Sequence, residues 1–198
     1  MKKILLAVFS AILLLAATSA EASTMALNPG SGSFALGATF KVTILIDTQG
    51  DAVNTGEASV TYSNNLELVS VNQGSTFYLP SLNSPSKGTT TAYFAGGLPT
   101  PGYSGRQGSL GIMVFRGKAL GTATVTITRG KALLNDGNGT NSLTLPTSGI
   151  TAKFNIVPPP LSAPVISSTT HPDQNAWYAQ DDVDLSWDRP EGAYGFSA

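Results

Sequence analysis

The chain has 198 residues, only 12% of them charged, a formal net charge of −1, 21 glycines and no cysteine. Without cysteine there are no disulfides, thiol nucleophiles, Cys-type zinc sites or iron–sulfur clusters, so the fold rests on apolar burial and backbone hydrogen bonds. The sparse, balanced charge is unlike a basic nucleic-acid binder or an acidic disordered tail.

The chain begins with Lys2 and Lys3, then an apolar run from Ile4 to Ala17 broken only by Ser10. At about 14 residues the run is shorter than the ~20 that a spanning helix needs. Small residues follow, with cleavage positions after Ala20 or Ala22. This is the layout of a secretory signal peptide, expected to occupy residues 1–22 and to be removed on export. No later segment approaches spanning length. The expected location is extracellular or at the cell surface.

Downstream, the dominant period is two. Phe40, Val42, Ile44 and Ile46 alternate with Lys41, Thr43 and Asp47, with Leu45 the one exception. Val60 and Tyr62 alternate with Glu57, Ser59 and Thr61. Leu110 to Phe115 is apolar on both faces, as in a central strand covered on both sides or facing a partner. Ala123, Val125 and Ile127 alternate with threonines at 122, 124, 126 and 128, and Ala152, Phe154 and Ile156 repeat the pattern. Turn signals separate these runs, among them Asn28-Pro29-Gly30, Gln49-Gly50-Asp51, Ser63-Asn64-Asn65 and Asn135-Asp136-Gly137. No 3.6-residue stripe is sustained. The expectation is an all-β, two-sheet, jelly-roll-like sandwich of about nine strands over residues 23–157.

A Pro-rich stretch, residues 158–164, favours an extended spacer. Charge changes sign across it. Ser23 to Val157 carries eight Lys/Arg against five Asp/Glu, a formal +3; Pro158 to Ala198 carries one Arg against six acids, a formal −5. Residues 165–198 are therefore read as a second unit. Its Pro164-Val165-Ile166-Ser167, Trp177-Tyr178 and Val183-Asp184-Leu185-Ser186-Trp187 resemble the opening of a fibronectin-III- or immunoglobulin-like domain. A whole domain of that kind needs about 90–100 residues, so only a truncated one is expected here.

The first region has a resemblance of its own. Leu27-Asn28-Pro29-Gly30-Ser31-Gly32-Ser33-Phe34 followed by Phe40-Lys41-Val42-Thr43-Ile44 is similar to the opening of a cohesin domain. Val60-Thr61-Tyr62-Ser63-Asn64-Asn65-Leu66-Glu67-Leu68-Val69 resembles the family's strand, turn, strand unit, with Ser63-Asn64 where Asp-Pro is usual. Phe115-Arg116-Gly117-Lys118 and Gly121-Thr122-Ala123-Thr124-Val125-Thr126-Ile127 resemble its late strand pair. The likeness spans roughly Thr24 to Val157. It implies a non-catalytic module for protein–protein recognition of a dockerin-like or other surface module, or for cell-surface assembly, with a link to polysaccharide degradation. In that family the partner docks on the sheet containing the third, fifth and sixth strands. With Val60, Tyr62, Ala92 and Phe94 inward, the partner-facing residues become Glu57, Ser59, Thr61, Thr91 and Tyr93, with Tyr93 as anchor. The alternatives are a carbohydrate-binding module, using Phe77-Tyr78, Tyr93-Phe94 or Tyr103, and a structural spacer in a multidomain surface protein.

Catalytic patterns are thin. The single histidine, His171, lies beyond the linker, where a Ser-His-Asp arrangement would have to reach across domains. The acids of the first region, Asp47, Asp51, Glu57, Glu67 and Asp136, fall mostly at predicted turns or strand ends rather than in the facing pair that glycosidase chemistry needs. No resident cofactor is expected. The nearest approach to a metal loop is Asn135 to Asn141, where Asp136, Asn138 and Thr140 alternate with glycines. It lacks the late glutamate of a calcium loop and offers one formal charge, so it would hold calcium weakly.

Overall fold

A computed structural model describes residues 22–173, 175–190 and 193. The expected signal peptide lies outside the described residues apart from Ala22. The chain divides into two compact units, with the boundary between Val157 and Pro158. Among the described residues, no helix is long and apolar enough to cross a membrane.

In the first unit the strands are β1 (Thr24–Asn28), β2 (Ser31–Ala35), β3 (Thr39–Asp47), β4 (Val53–Tyr62), β5 (Leu66–Gln73), β6 (Leu79–Pro80), β7 (Ser86–Lys87), β8 (Thr91–Gly97), β9 (Gly108–Gly117), β10 (Gly121–Leu134) and β11 (Ile150–Val157). Nine have five residues or more; β6 and β7 have two each. They form two sheets, ordered β1-β3-β9-β5 and β2-β11-β10-β4-β8-β6, with β7 also pairing β8. The fold is an all-β sandwich. Its first strand is divided between the layers at Asn28-Pro29-Gly30, so that β1 pairs antiparallel with β3 while β2 runs parallel to β11.

Period-two alternation builds the interior. Phe40, Val42, Ile44 and Ile46 of β3 are all buried, and so are Val60 and Tyr62 of β4, Ala123, Val125 and Ile127 of β10, and Phe154 and Ile156 of β11. Phe40 sits at the centre of an aromatic cluster. Phe34 stacks on it at 4.0 Å between centroids, and Phe154 and Phe115 lie 4.9 and 5.9 Å away. Between the layers, fully buried Phe94 of β8 lies so close to Gly111 of β9 that a Cβ there would stand 2.1 Å from the ring. Only a residue without a side chain lets the two sheets close over that ring.

The run from Leu110 to Phe115 is central in its sheet, between β3 and β5. Leu110, Met113 and Phe115 face the core, while Ile112 and Val114 are half-buried on the outer side. Among the described residues, the strands of this unit form two layers only, and no third layer lies over that outer face.

The second unit is described as a short antiparallel pair, β12 (Ile166–Ser168) and β13 (Leu185–Trp187), with Ile166 opposite Trp187. Leu185 and Trp187 remain 57% and 48% exposed, and no described residue after Val157 is buried. The apolar alternation is present here, and the described residues of this unit form this single two-stranded sheet.

The Gly111–Phe94 contact gives a direct stability test. Gly111→Ala should lower unfolding stability by about 3 kcal/mol, at the upper end for overpacking. Thr122→Ala on the exposed face should change it by less than about 0.5 kcal/mol. Urea denaturation distinguishes the two; a small loss for Gly111→Ala would mean the sheets are not held as closely as described.

Candidate protein-recognition face

Three adjacent strands of the larger sheet, β10, β4 and β8, bring the sequence-predicted residues to one outer face. Thr61 stands opposite Thr91, and Ser59 opposite Tyr93, while Glu57 stands opposite buried Ala95. Glu57, Ser59 and Tyr93 are half-buried; Thr61 and Thr91 are exposed. Their in-strand neighbours Ala58, Val60, Tyr62, Ala92 and Phe94 point into the core.

The structure adds residues that the alternation did not disclose. Ile127 of β10 pairs with Val60 of β4, but Arg129 pairs with the next residue, Ser59, so Thr128 is an extra residue in a β-bulge. Had the alternation continued, Arg129 and Lys131 would have followed Ile127 into the core. The bulge reverses the phase: Arg129 and Lys131 are exposed and Ala132 is buried. The Thr128 hydroxyl donates to the Ser59 carbonyl at 3.2 Å and ties the bulge to β4. One transverse row thus reads Arg129, Ser59, Tyr93 and, on β7, Ser86. The next is all threonine, with Thr151, Thr126, Thr61 and Thr91. Gly130 was the signal available in the sequence, because glycine inside a strand often marks a bulge.

Two shallow depressions meet at this row. One, of about 420 Å³, is lined by Ser59, Thr61, Thr91, Tyr93, Thr128 and Arg129 among others. The second, of about 270 Å³, shares Ser59, Tyr93 and Arg129 and adds Glu57 and Lys131. Glu57 is committed to Lys131, its carboxylate 3.3 Å from the ammonium. Arg129 has neither an ion pair nor a side-chain hydrogen bond among the described residues.

The β7 side of the face is anchored from below. Burial holds the Tyr62 hydroxyl above its ordinary value, so it stays protonated. It donates to the carbonyls of Gly88 and Thr89, both at 3.0 Å. Lys87 donates across to Leu68 and Val69 carbonyls at 3.3 and 3.1 Å, at the bulged edge of β5. Its charge is therefore partly spent on the edge of the other sheet.

Of the candidate sugar-stacking rings, Phe77 and Phe94 are fully buried. Tyr103 packs edge-on against Phe77, and its hydroxyl accepts from the Gln107 N–H at 3.1 Å. Tyr78 and Tyr93 keep open ring surface. Glu57 and Glu67 are both ion-paired, Glu67 to Arg116 at 3.4 Å. In the second unit the His171 Nε2 lies 3.1 Å from the Gln180 carbonyl, its Nδ1 lies 3.0 Å from the Thr170 hydroxyl, and the ring packs against Tyr178. That arrangement pins a loop.

Asp136, Asn138 and Thr140 form a closed turn. The Thr140 hydroxyl, followed by the Asn138 N–H, holds the Asp136 carboxyl below its ordinary value; the Asn138 contact is 2.8 Å. Because the folded value is depressed, the carboxylate favours the closed turn above the ordinary carboxylate range, and that contribution is lost as pH falls through the depressed value. Thr140→Val should move the carboxyl back up, read by carbon-detected NMR titration; an unchanged titration would mean the hydroxyl does not hold it.

With this geometry in view, comparison with solved structures shows that the first unit has the fold of cohesin modules. A non-cellulosomal cohesin from Archaeoglobus fulgidus superposes with a TM-score of 0.52 at 24% identity, over 69% of this chain and 91% of that one. The cohesin of a type I cohesin–dockerin complex from Clostridium thermocellum matches at 0.55 and 11%, over 69% of this chain and all of its own. A cohesin module from a Clostridium perfringens family 33 glycoside hydrolase matches at 0.53 and 16%, over 72% and 100%. No family model matches the chain, and no curated protein matches it in sequence.

Proposed function

We propose that this chain is an exported, non-catalytic recognition module that docks a dockerin-like module on the outer face of β10, β4 and β8. The observation that carries the reading is the row Arg129–Ser59–Tyr93. It places two residue types that dominate protein-interface energetics on one transverse row, flanking Ser59 from the strands on either side of β4. The C. thermocellum relative was solved as a cohesin–dockerin complex, which supports the same class of partner here.

A sheet face of small hydroxyls has little affinity of its own. Threonine and serine side chains exchange water for partner contacts at nearly equal free energy, whereas a tyrosine ring contributes apolar area and a hydrogen-bonding tip together. Tyr93, half-buried between Ser86 of β7 and Ser59 of β4, has its base fixed by the sheet and its ring edge free for a partner. The surrounding threonines would exclude water around it once a partner closes over the face. Glu57 and Lys131 would sit at the rim, satisfying each other. Export through the N-terminal signal and a surface location belong to this reading, as does the Pro-rich segment acting as a spacer to the second unit.

The test is affinity for an immobilised panel of purified dockerin modules, measured with the chain and its Tyr93→Ala variant. The expected result is saturable binding to at least one module. Tyr93→Ala should weaken it by about 2 kcal/mol, roughly thirtyfold. Binding that survives the substitution would move the interface off this face. Retention on insoluble polysaccharide instead, lost in the same variant, would replace the protein partner with a sugar.

A further inference from the structure

The charge on this face is one-sided. Arg129, Lys131 and Lys153 are exposed on β10 and β11, and the acid that faces them, Glu57, is already paired with Lys131. Arg129 alone stands at the centre, in line with Tyr93, and both depressions open onto it. Its placement there depends on a specific backbone device, the Thr128 bulge, without which the side chain would point at the core.

A guanidinium exposed to water is comfortable. Covered by a docking partner it loses its hydration, and burying it without a counter-charge is costly. The face therefore discriminates: a partner with a carboxylate over Arg129 gains a two-pronged charge-assisted contact, and a partner with a lysine or an aliphatic residue there is penalised. Lys153 and the residual positive character of the sheet add to the same preference at longer range.

Resting on the recognition reading above, we propose that Arg129 is a specificity-determining residue, which takes a carboxylate of an acidic surface on the partner module while Tyr93 supplies the adjoining apolar contact. The depressions of about 420 and 270 Å³ on either side of the row leave room for partner side chains flanking that carboxylate. Lys131 is less available than Arg129, because its ammonium pairs with Glu57 at 3.3 Å. So is Lys87, being drawn to the Leu68 and Val69 carbonyls.

The test has two arms on the intact chain. In the first, amide and arginine side-chain NMR signals are followed during titration with a short glutamate-rich peptide and with the same peptide carrying glutamine. The expected result is saturable shifts for the glutamate peptide centred on Arg129, Ser59 and Tyr93, weakened by salt and lost in Arg129→Gln. Equal shifts with the glutamine peptide, shifts centred on Arg106 or Lys118, or an unchanged response in Arg129→Gln would overturn the proposal. Oligogalacturonate is titrated in parallel; tighter seating of that acid sugar at the same residues would also overturn it, by assigning the site to a polysaccharide.

In the second arm, Arg129→Glu is measured against any dockerin module the chain binds. Affinity should fall by about tenfold or more, with partial recovery when one acid of the module's contact surface is changed to lysine. A module that binds Arg129→Glu as tightly as the parent sinks the acidic preference and leaves the recognition reading standing. Conversely, a glutamate peptide that seats on Arg129 when every dockerin module fails to bind upholds the preference and removes the dockerin class as its source. Equal urea midpoints for the parent, Arg129→Gln and Arg129→Glu show that the losses do not come from unfolding.

Discussion

The two sheets are held together by the apolar layer between them. With no cysteine in the chain, the sandwich depends on side chains from each sheet meeting in register across the interior. Phe94 resting on Gly111 is a close approach within that layer. The Phe40 cluster closes one region of it, and Phe77 against Tyr103 closes another. Committing every second residue to this layer commits the alternate residues to the outside. The threonines of β10, Ser59 and Thr61 of β4, and Thr91 and Tyr93 of β8 are on the surface because their neighbours are in the core.

A strict alternation would leave Glu57 and Lys153 as the charges of that outer face. The single-residue bulge at Thr128 changes this. It shifts β10 by one position against β4, so the second half of the strand buries Ala132 and exposes Arg129 and Lys131. Fold and the proposed recognition chemistry therefore meet at one backbone irregularity, tied by the Thr128 hydroxyl to the Ser59 carbonyl. The same sheet secures its other flank through Tyr62, a core residue whose hydroxyl reaches the chain just before β8. A rigid support beneath half-exposed side chains reduces the entropy lost on docking.

The strands with clean alternation were legible from the sequence: β3, the first half of β10 and β11 bury the residues their period assigns to the core. So were the outward positions of β4 and β8, because burial of Val60, Tyr62, Ala92 and Phe94 settles where their neighbours point. The second half of β10 was not, since the bulge breaks the period that a reader follows and Gly130 was the one mark of it. Ile112 and Val114 were read as part of a strand covered on both sides or facing a partner. The described strands of the unit form two layers only, so the first of these does not hold among the described residues. The Asp136 loop has the oxygens of a cation site in its sequence, and in the fold the Asp136 carboxylate accepts from its own Thr140 and Asn138 donors. Leu185 and Trp187 alternate as core residues do, and in the described part of the second unit no buried layer receives them.

The most direct test of the central claim, that the partner covers the β10-β4-β8 face, is hydroxyl-radical footprinting of the intact chain with and without a bound dockerin module. The account predicts that labelling of Tyr93 falls sharply in the complex while Tyr78, Ile112 and Val114 keep theirs. Protection of Ile112 and Val114 with Tyr93 unchanged would contradict it and place the partner on the opposite sheet.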